Sequence, residues 1–425
     1  MSDRLSPPQL LRHLFDTAVN AALPHQIIPL HLPPQPKGRT VVVGAGKSAA
    51  AMARAVEDNW DGGLTGLVVT RYGHAVETKQ IEVVEAGHPV PDANGVGAAR
   101  RILDMVSPLT EDDLVICLIS GGGSALFTLP PKELSLEELA DINRQLLSSG
   151  AAISEMNAVR KSLSLSSGGR LAAAAYPSTV VSLIISDVPG DDLATIASGP
   201  TVGDTITAQA ALQAIRERKI KISPAVERYL NRDLNPTIAP TDPRLSTTQN
   251  LLIATPQQSL EAAAEEAEMN GYSALILGDS IEGEAQDVGI VHAGIAQQVI
   301  NHNQPLVPPC VILSGGETTV TLDRSGGKGG RNSEFLLSFA CHLNGLADVY
   351  AIACDTDGID GSEDNAGAAI SPESIQLARA KGLEPIEYLS NHNAYDLFAA
   401  IDALVETGPT LTNVNDFRAI AIAGN

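Results

Sequence analysis

The residues of this chain best suited to chemistry lie in glycine-rich turns that follow apolar runs. The first, Gly44-Ala45-Gly46-Lys47-Ser48-Ala49, follows Thr40–Val43 and fits the pattern G-x-G-x-x-A. Glycines let a ligand approach the backbone, and the start of a helix offers unpaired N–H groups to an anion. The turn is not a Walker loop, because Val41 stands where the first glycine belongs. A dinucleotide site of this type wants an acidic residue after the next strand. Here that strand ends in Thr70-Arg71, and an arginine suits a 2′-phosphate instead. Lys47 places a full positive charge in the turn, although a tight strand-to-helix connection accounts for the glycines equally well. The second turn, Ser120-Gly121-Gly122-Gly123-Ser124, follows Leu114–Ile119. Three successive glycines are costly in chain entropy, a cost that makes sense where a ligand lies against the backbone. Such a turn presents several N–H groups and two hydroxyls, a nest for phosphate oxygens. The third, Ser314-Gly315-Gly316-Glu317, comes after Cys310–Leu313 and before an expected partner strand Thr318–Leu322. The fourth, Ser325-Gly326-Gly327-Lys328-Gly329-Gly330, leads into Arg331-Asn332 at a helix start, where a planar guanidinium suits carboxylate or phosphate.

Carboxylates collect at the ends of strands. Asp187 follows Val180–Ser186, and Asp355, Asp357 and Asp360 follow Val349–Cys354 in the stretch DTDGIDG. Calcium is disfavoured, because Gly358 comes one step after the second aspartate and no closing glutamate follows. Asp187, Asp355 and Asp357 are the stronger candidates, since strand ends face the ligand crevice of such folds. There a carboxylate can take a hydroxyl proton or hold Mg²⁺. Asp360 and Asp364 read equally well as turn caps. Of the nine histidines only His88, in Gly87-His88-Pro89, lies in a special turn. No G-x-S-x-G is present, so a serine hydrolase is excluded.

The elements that must position these groups alternate. Short β-branched runs (Thr40–Val43, Leu64–Thr70, Ile81–Ala86, Leu114–Ile119, Val180–Ser186) are separated by Ala- and Leu-rich helical stretches. Near-continuous apolar strands suit a parallel sheet covered on both faces, hence an α/β fold. Asp92 is placed to cap a helix ending near Val106, and Ser135 with Glu138 reads as a capping box. The Pro- and Asn-rich stretch Asn231–Asn250 is the natural domain boundary. The expected division is a Rossmann-like domain at 38–240 and a smaller α/β domain at 251–425, with 1–37 a helical lead-in of open assignment.

At 425 residues, 44% hydrophobic, the chain has ample length for buried cores. A formal charge of −22 repels phosphate backbones, so no nucleic-acid partner is expected; a small anionic substrate remains compatible. The four cysteines form no C-x-x-C pair and read as buried small hydrophobes in a reducing compartment. The absence of a signal core and of long apolar stretches implies no membrane partner and a soluble, cytoplasmic protein.

Taken in order, GAGKSAAAMARA (44–55), GHPVPDANG (87–95), LISGGGSALF (118–127), MNAVRKSLSLSSGGRLA (156–172) and ISDVPGDDLATIASGPT (185–201) resemble the class II glycerate 2-kinases. So do LSGGETTVTL (313–322), GGRNSEF (329–335) and CDTDGIDGSEDNAGA (354–368). The resemblance implies a Rossmann-like large domain and a smaller α/β domain carrying a MOFRL region at about 308–415. It places the active site in the cleft between them. It implies ATP-dependent phosphorylation of D-glycerate to 2-phosphoglycerate, with ATP and Mg²⁺ as cofactors, and leaves a homodimer open. The resemblance places the family's lysine on Lys47, its arginine on Arg331 and its DTDG aspartates on Asp355 and Asp357; together with the strand-end Asp187, the catalytic candidates are Lys47, Arg331, Asp187 and Asp357, and the metal candidates Asp355 and Asp187. Gly44, Gly46, Ser120, Gly121, Gly122, Gly123, Ser124, Asn157, Ser314, Gly315, Gly316 and Glu317 are the cofactor-binding ones. Whether Lys47 and Arg331 hold phosphate or the glycerate carboxylate stays open, as does the choice of Asp187 or Asp357 as base. Members of this family are also labelled hydroxypyruvate reductase, so an NAD(P)H-dependent reductase is the alternative. It would explain G-x-G-x-x-A and Arg71 but not SGGGS, SGGE or DTDG. A non-catalytic anion-binding module would leave the strand-end carboxylates unexplained.

Overall fold

The computed structural model describes residues 5–232, 237–322, 327–343 and 345–424. They divide into two compact units. The first comprises Pro24–Asp187 and Asp191–Ile253; the second comprises the described residues up to Leu23, Val188–Gly190 and those from Ala254 on.

The first unit is built on β1 (Thr40–Ala45), β2 (Leu64–Arg71), β3 (Ile81–Ala86), β4 (Leu114–Ile119), β5 (Thr179–Ile185) and β6 (Thr248–Ala254). Their order is β3-β2-β1-β4-β5-β6, and every pairing from β3 through β5 is parallel. This is the doubly wound order, in which the chain direction reverses between β1 and β4 and leaves a crevice beyond their carboxyl ends. β1 and β4 are buried at every position, as runs of Val, Ile and Leu covered on both faces require. The helices begin where the sequence provides caps. Asp92 Oδ1 accepts the Gly95 N–H at 3.0 Å to start Ala93–Val106. Ser135 and Glu138 exchange their capping-box bonds at 2.8 and 3.2 Å to start Leu136–Ser148.

The second unit holds β7 (Ser273–Ile276), β8 (Ile281–Glu284), β9 (Cys310–Thr319), β10 (Val349–Asp355), β11 (Gly367–Ile370), β12 (Leu404–Val405) and β13 (Asp416–Ile422). The order β12-β11-β10-β13-β9-β7 is mixed, with β7 and β8 parallel to β9 and the other pairings antiparallel. Alternation along the strands sorts the two faces. Cys310 and Ile312 pack with the helices Ala285–His302 and Arg331–Leu343. Val311 and Leu313 pack with the helices Pro7–Asn20 and Pro256–Met269. The N-terminal lead-in is therefore divided: its described residues up to Leu23 belong here, and those from Pro24 belong to the first unit. Leu10, Leu14 and Phe15 are buried, and the Phe15 ring lies 5.9 Å from that of Phe417.

Two sequence expectations change. β9 runs unbroken through Ser314-Gly315-Gly316-Glu317, so this stretch is strand rather than turn, and no separate strand occupies 318–322. The glycines are there because neighbours crowd in. A Cβ on Gly316 would overlap the backbone of Ile281 on β8. The residues Ser325 and Gly326 of the fourth glycine-rich segment, and 233–236 of the expected linker, lie outside the described residues.

Candidate active site

In the first unit the turns after β1 and β4 leave adjacent strands side by side at the point where the strand order reverses. They are laced together. The Lys47 N–H donates to the Gly121 carbonyl at 2.8 Å, the Ser48 N–H to Ser120 Oγ at 3.0 Å, and the Ser120 N–H to the Ala45 carbonyl at 3.2 Å. The Gly46 N–H donates to the Val69 carbonyl at 3.1 Å. The first turn thus has its N–H groups engaged within the protein. Gly44 and Gly46 have a packing reason as well, since a Cβ on either would overlap Leu118 or Ser120. The physical role of this turn is to support its neighbour and to aim Lys47.

The second turn differs. Among the described residues the N–H groups of Gly121, Gly122 and Ser124 meet no protein acceptor, which leaves three donors in one short turn. Gly122 has φ +80°, a left-handed conformation natural only to glycine. A Cβ there would lie 3.0 Å from the His88 ring and 3.4 Å from Lys47 Cγ. Gly122, Lys47 and His88 are therefore neighbours. Gly123 is tight against Ala197. Ser124 Oγ lies 2.8 Å from Ser198 Oγ, which donates to Asn157 Oδ1 at 3.1 Å, so Asn157 braces the turn through a serine.

Ala197 and Ser198 have φ +51° and +61°, and Gly199 follows at +56°. Non-glycine residues held in this region cost of order 1–3 kcal/mol each and persist where the surroundings demand them. The sequence reading singled out neither Ala197 nor Ser198 as a site residue. Their left-handed backbone has no glycine to announce it. Asp187 follows β5, half-buried.

The second unit holds a separate constellation at the start of Arg331–Leu343. Arg331 donates Nε–H to Asp416 Oδ1 at 2.6 Å and an Nη2–H to Asp355 Oδ2 at 2.8 Å; Glu317 Oε1 lies 3.6 Å from Nη1. Burial opposes the guanidinium charge, but Asp416, Asp355 and Glu317 outweigh it and hold its pKa well above the usual value. Asp416 is itself buried, which works against its ionisation, yet Arg331 and Arg418 hold its carboxyl below the ordinary range. Asp355 Oδ1 accepts the Asp357 N–H at 3.0 Å, and Asp357 Oδ1 accepts the Ile359 N–H at 2.9 Å, so both carboxylates shape the DTDG turn. Asp360 caps the helix, accepting from the Asn332 N–H at 2.9 Å and the Ser333 N–H at 2.8 Å. Ser314, placed in β9, donates to or accepts from buried His292 Nε2 at 3.0 Å.

Among the described residues no three His, Cys, Asp or Glu side chains converge on a metal position. Asp355 shares its oxygens with Arg331 and a backbone N–H. No helix of the described residues is long and apolar enough to cross a membrane.

Residues 10–231 match a domain of unknown function, DUF4147, and residues 310–416 match the MOFRL family. A putative hydroxypyruvate reductase of Agrobacterium vitis is 50% identical over 98% of this chain and 95% of its own. A glycerate 2-kinase of Pyrococcus horikoshii is 42% identical over 89% of this chain and 86% of its own. The crystal structure of glycerate kinase from Thermotoga maritima superposes with a TM-score of 0.86 at 37% identity, covering 97% of this chain and 99% of that one. Likeness of this extent, running through both units, shows that the chain belongs to the class II glycerate 2-kinase family.

Proposed function

We propose that the protein is a D-glycerate 2-kinase that transfers the γ-phosphoryl group of ATP to the C2 hydroxyl of D-glycerate. The observation that carries this reading is the Gly121–Ser124 turn, with three N–H donors and Lys47 beside Gly122 at the strand-order reversal. A phosphate-bearing ligand supplies the acceptors those donors lack. The kinase names of the Pyrococcus and Thermotoga relatives support the reaction.

In the mechanism, the N–H groups of Gly121, Gly122 and Ser124 hold the nucleotide phosphates, and Lys47 neutralises charge on the transferring group. The C2 oxygen attacks the γ-phosphorus, the bond to the ADP oxygen breaks, and the hydroxyl proton passes to a carboxylate, Asp187 or Asp357. Phosphoryl transfer asks mainly for positioning and charge stabilisation, so the cations carry more of the rate than the base. Arg331 is given the second cationic role, oriented by Asp355 and Asp416. Mg²⁺ supplies further charge neutralisation when bound. Asp355 and Asp187 are the carboxylates that would hold it.

The names of the Agrobacterium relatives favour a second reading, reduction of hydroxypyruvate with NAD(P)H. The fingerprint turn argues against it, because the N–H groups of Gly46, Lys47 and Ser48 are engaged in the protein. One pair of assays decides. ADP release from ATP with D-glycerate and Mg²⁺, with ³¹P resonances of 2-phosphoglycerate, supports the kinase. NAD(P)H oxidation with hydroxypyruvate, and no ADP release, would reverse the assignment.

A further inference from the structure

Ser124 closes the phosphate turn and also lines a second feature of the first unit. This is a small pocket of about 30 Å³, room for one group of a ligand, whose walls are mainly apolar, among them Leu139, Ile142 and Val159. Its strongest polar group is Arg160, on the helix Ile153–Ser162 one turn after Asn157. Arg160 donates Nε–H to Asn143 Oδ1 at 2.8 Å, and Asn143 Nδ2 donates to the Pro89 carbonyl at 2.7 Å. One edge of the guanidinium is thereby fixed. Arg160 lines the pocket, and its terminal nitrogens make no hydrogen bond to the described residues.

The missing partner is informative. The chain has 50 acidic residues against 28 basic ones, yet no described carboxylate pairs with Arg160. The cations around it are matched. Lys161, next along the helix, pairs with Asp204, and Arg218 pairs with Glu155 at 2.7 Å. Burial without a counter-charge lowers the Arg160 pKa to about 10, so the side chain stays cationic at neutral pH. Arg160 is half-buried with no anion beside it, and its planar fork matches the two oxygens of a carboxylate or phosphate. The shared position of Ser124 places the completing anion on a molecule beside the phosphate turn.

We infer that Arg160 is a binding residue for an oxyanion group of a reactant, held in the Ser124–Asn143–Arg160 pocket. The inference rests on the kinase reading. It names the chemistry recognised there, a carboxylate or phosphate, and the two sources are the three-carbon acid and the nucleotide. Asn143 is the positioning residue, since it fixes the guanidinium without facing the anion as a charge.

The test is calorimetric titration of wild type, Arg160→Met and Arg160→Lys, each confirmed folded by thermal melting. D-glycerate and a non-hydrolysable ATP analogue with Mg²⁺ are titrated in separate arms. Loss of charge-assisted hydrogen bonds should weaken one arm by on the order of tenfold to a hundredfold in Arg160→Met, with partial recovery in Arg160→Lys. The other arm should change little. Weakening of the glycerate arm assigns the carboxylate, and weakening of the nucleotide arm assigns a phosphate. Unchanged affinities in both arms overturn the inference. If wild type binds neither ligand, the kinase reading has failed, and titration with inorganic phosphate tests the anion site alone. In that case a loss in Arg160→Met upholds the site and equal binding overturns it. Should Arg160→Met not fold, Asn143→Leu is read in the same arms, because it leaves the charge but removes its anchor.

Discussion

Lys47 and His88 flank the same point beside Gly122. A Cβ at that glycine would lie 3.4 Å from Lys47 Cγ and 3.0 Å from the His88 ring. These side chains come from different turns, after β1 and after β3. They meet because parallel pairing in register brings the carboxyl ends of β1, β2, β3 and β4 to one edge. A lysine packed beside an N–H nest gives both a full charge and directional donors to one phosphate chain.

Gly122→Val should fold and lose nucleotide affinity. The left-handed φ of +80° resists any branched side chain, at a cost of about 1–3 kcal/mol, and the side chain would fill the space between Lys47 and His88. The strain weighs on free and bound protein alike, whereas the blocked approach to the turn weakens binding: loss of about 1.4 kcal/mol of phosphate contact raises the ATP-analogue Kd about tenfold. An unchanged Kd in a folded variant would remove the phosphate role from this turn.

Lys47→Ala should lower kcat by about a hundredfold or more, the scale of losing a key transition-state donor. The Lys47 N–H bond to Gly121 is a backbone bond and survives the substitution, so thermal stability should change little. Steady-state kinetics with a melting curve separates the two effects. A near-normal kcat would show that the side chain does not meet the transferring group.

His292 should make stability pH-dependent. Its ring is buried between the Val288 carbonyl, 2.8 Å from Nδ1, and Ser314 Oγ, 3.0 Å from Nε2. Burial lowers its pKa to about 4, despite the bond to Val288. The unfolded chain binds this proton near pH 6.5, where the folded one does not. The neutral-ring stability is complete above pH 6.5 and is lost as pH falls towards 4, by about 3 kcal/mol at most. Urea unfolding at pH 7.5 and 4.5 should show this fall in wild type and a smaller one in His292→Gln. Equal falls would assign the acid sensitivity to other groups.

The doubly wound unit was legible because its strands are uninterrupted apolar runs and its turns carry glycines that a plain connection does not require. The capping residues Asp92 and Ser135 were legible for the same reason, as local chemistry at adjacent positions. Elements decided by distant contacts were not. Gly315-Gly316 reads as a turn, yet β8 and β13 flank it so closely that glycine is what a strand there needs. The placement of Pro7–Asn20 on the second unit depends on Phe417 and Leu313, some 300 residues or more along the chain. Nothing in the sequence separates Arg160 from the other basic residues on helices. Only the absence of a carboxylate paired with it in three dimensions, among the described residues, distinguishes it.

The final prediction concerns Arg331, for which a catalytic and an architectural role make different claims. Its guanidinium joins Asp416 and Asp355, both buried, so removing it leaves carboxylates without their partner. Breaking such a pair from one side costs about 3–5 kcal/mol, because the remaining charge stays in a poor solvent. Asp416 would keep Arg418, which softens the loss, and Asp355 would keep the Asp357 N–H. Arg331→Met should therefore lower stability as well as kcat. Arg331→Lys should recover much of the stability, since an ammonium can meet one carboxylate, but not the two-sided geometry that aims the fork. Urea unfolding and kinetics on both variants tell the roles apart. Stability restored in Arg331→Lys with kcat still depressed assigns Arg331 to the reaction. Stability and kcat restored together make it a brace for the β9–β13 edge, and the second cation of the transfer must then be found elsewhere.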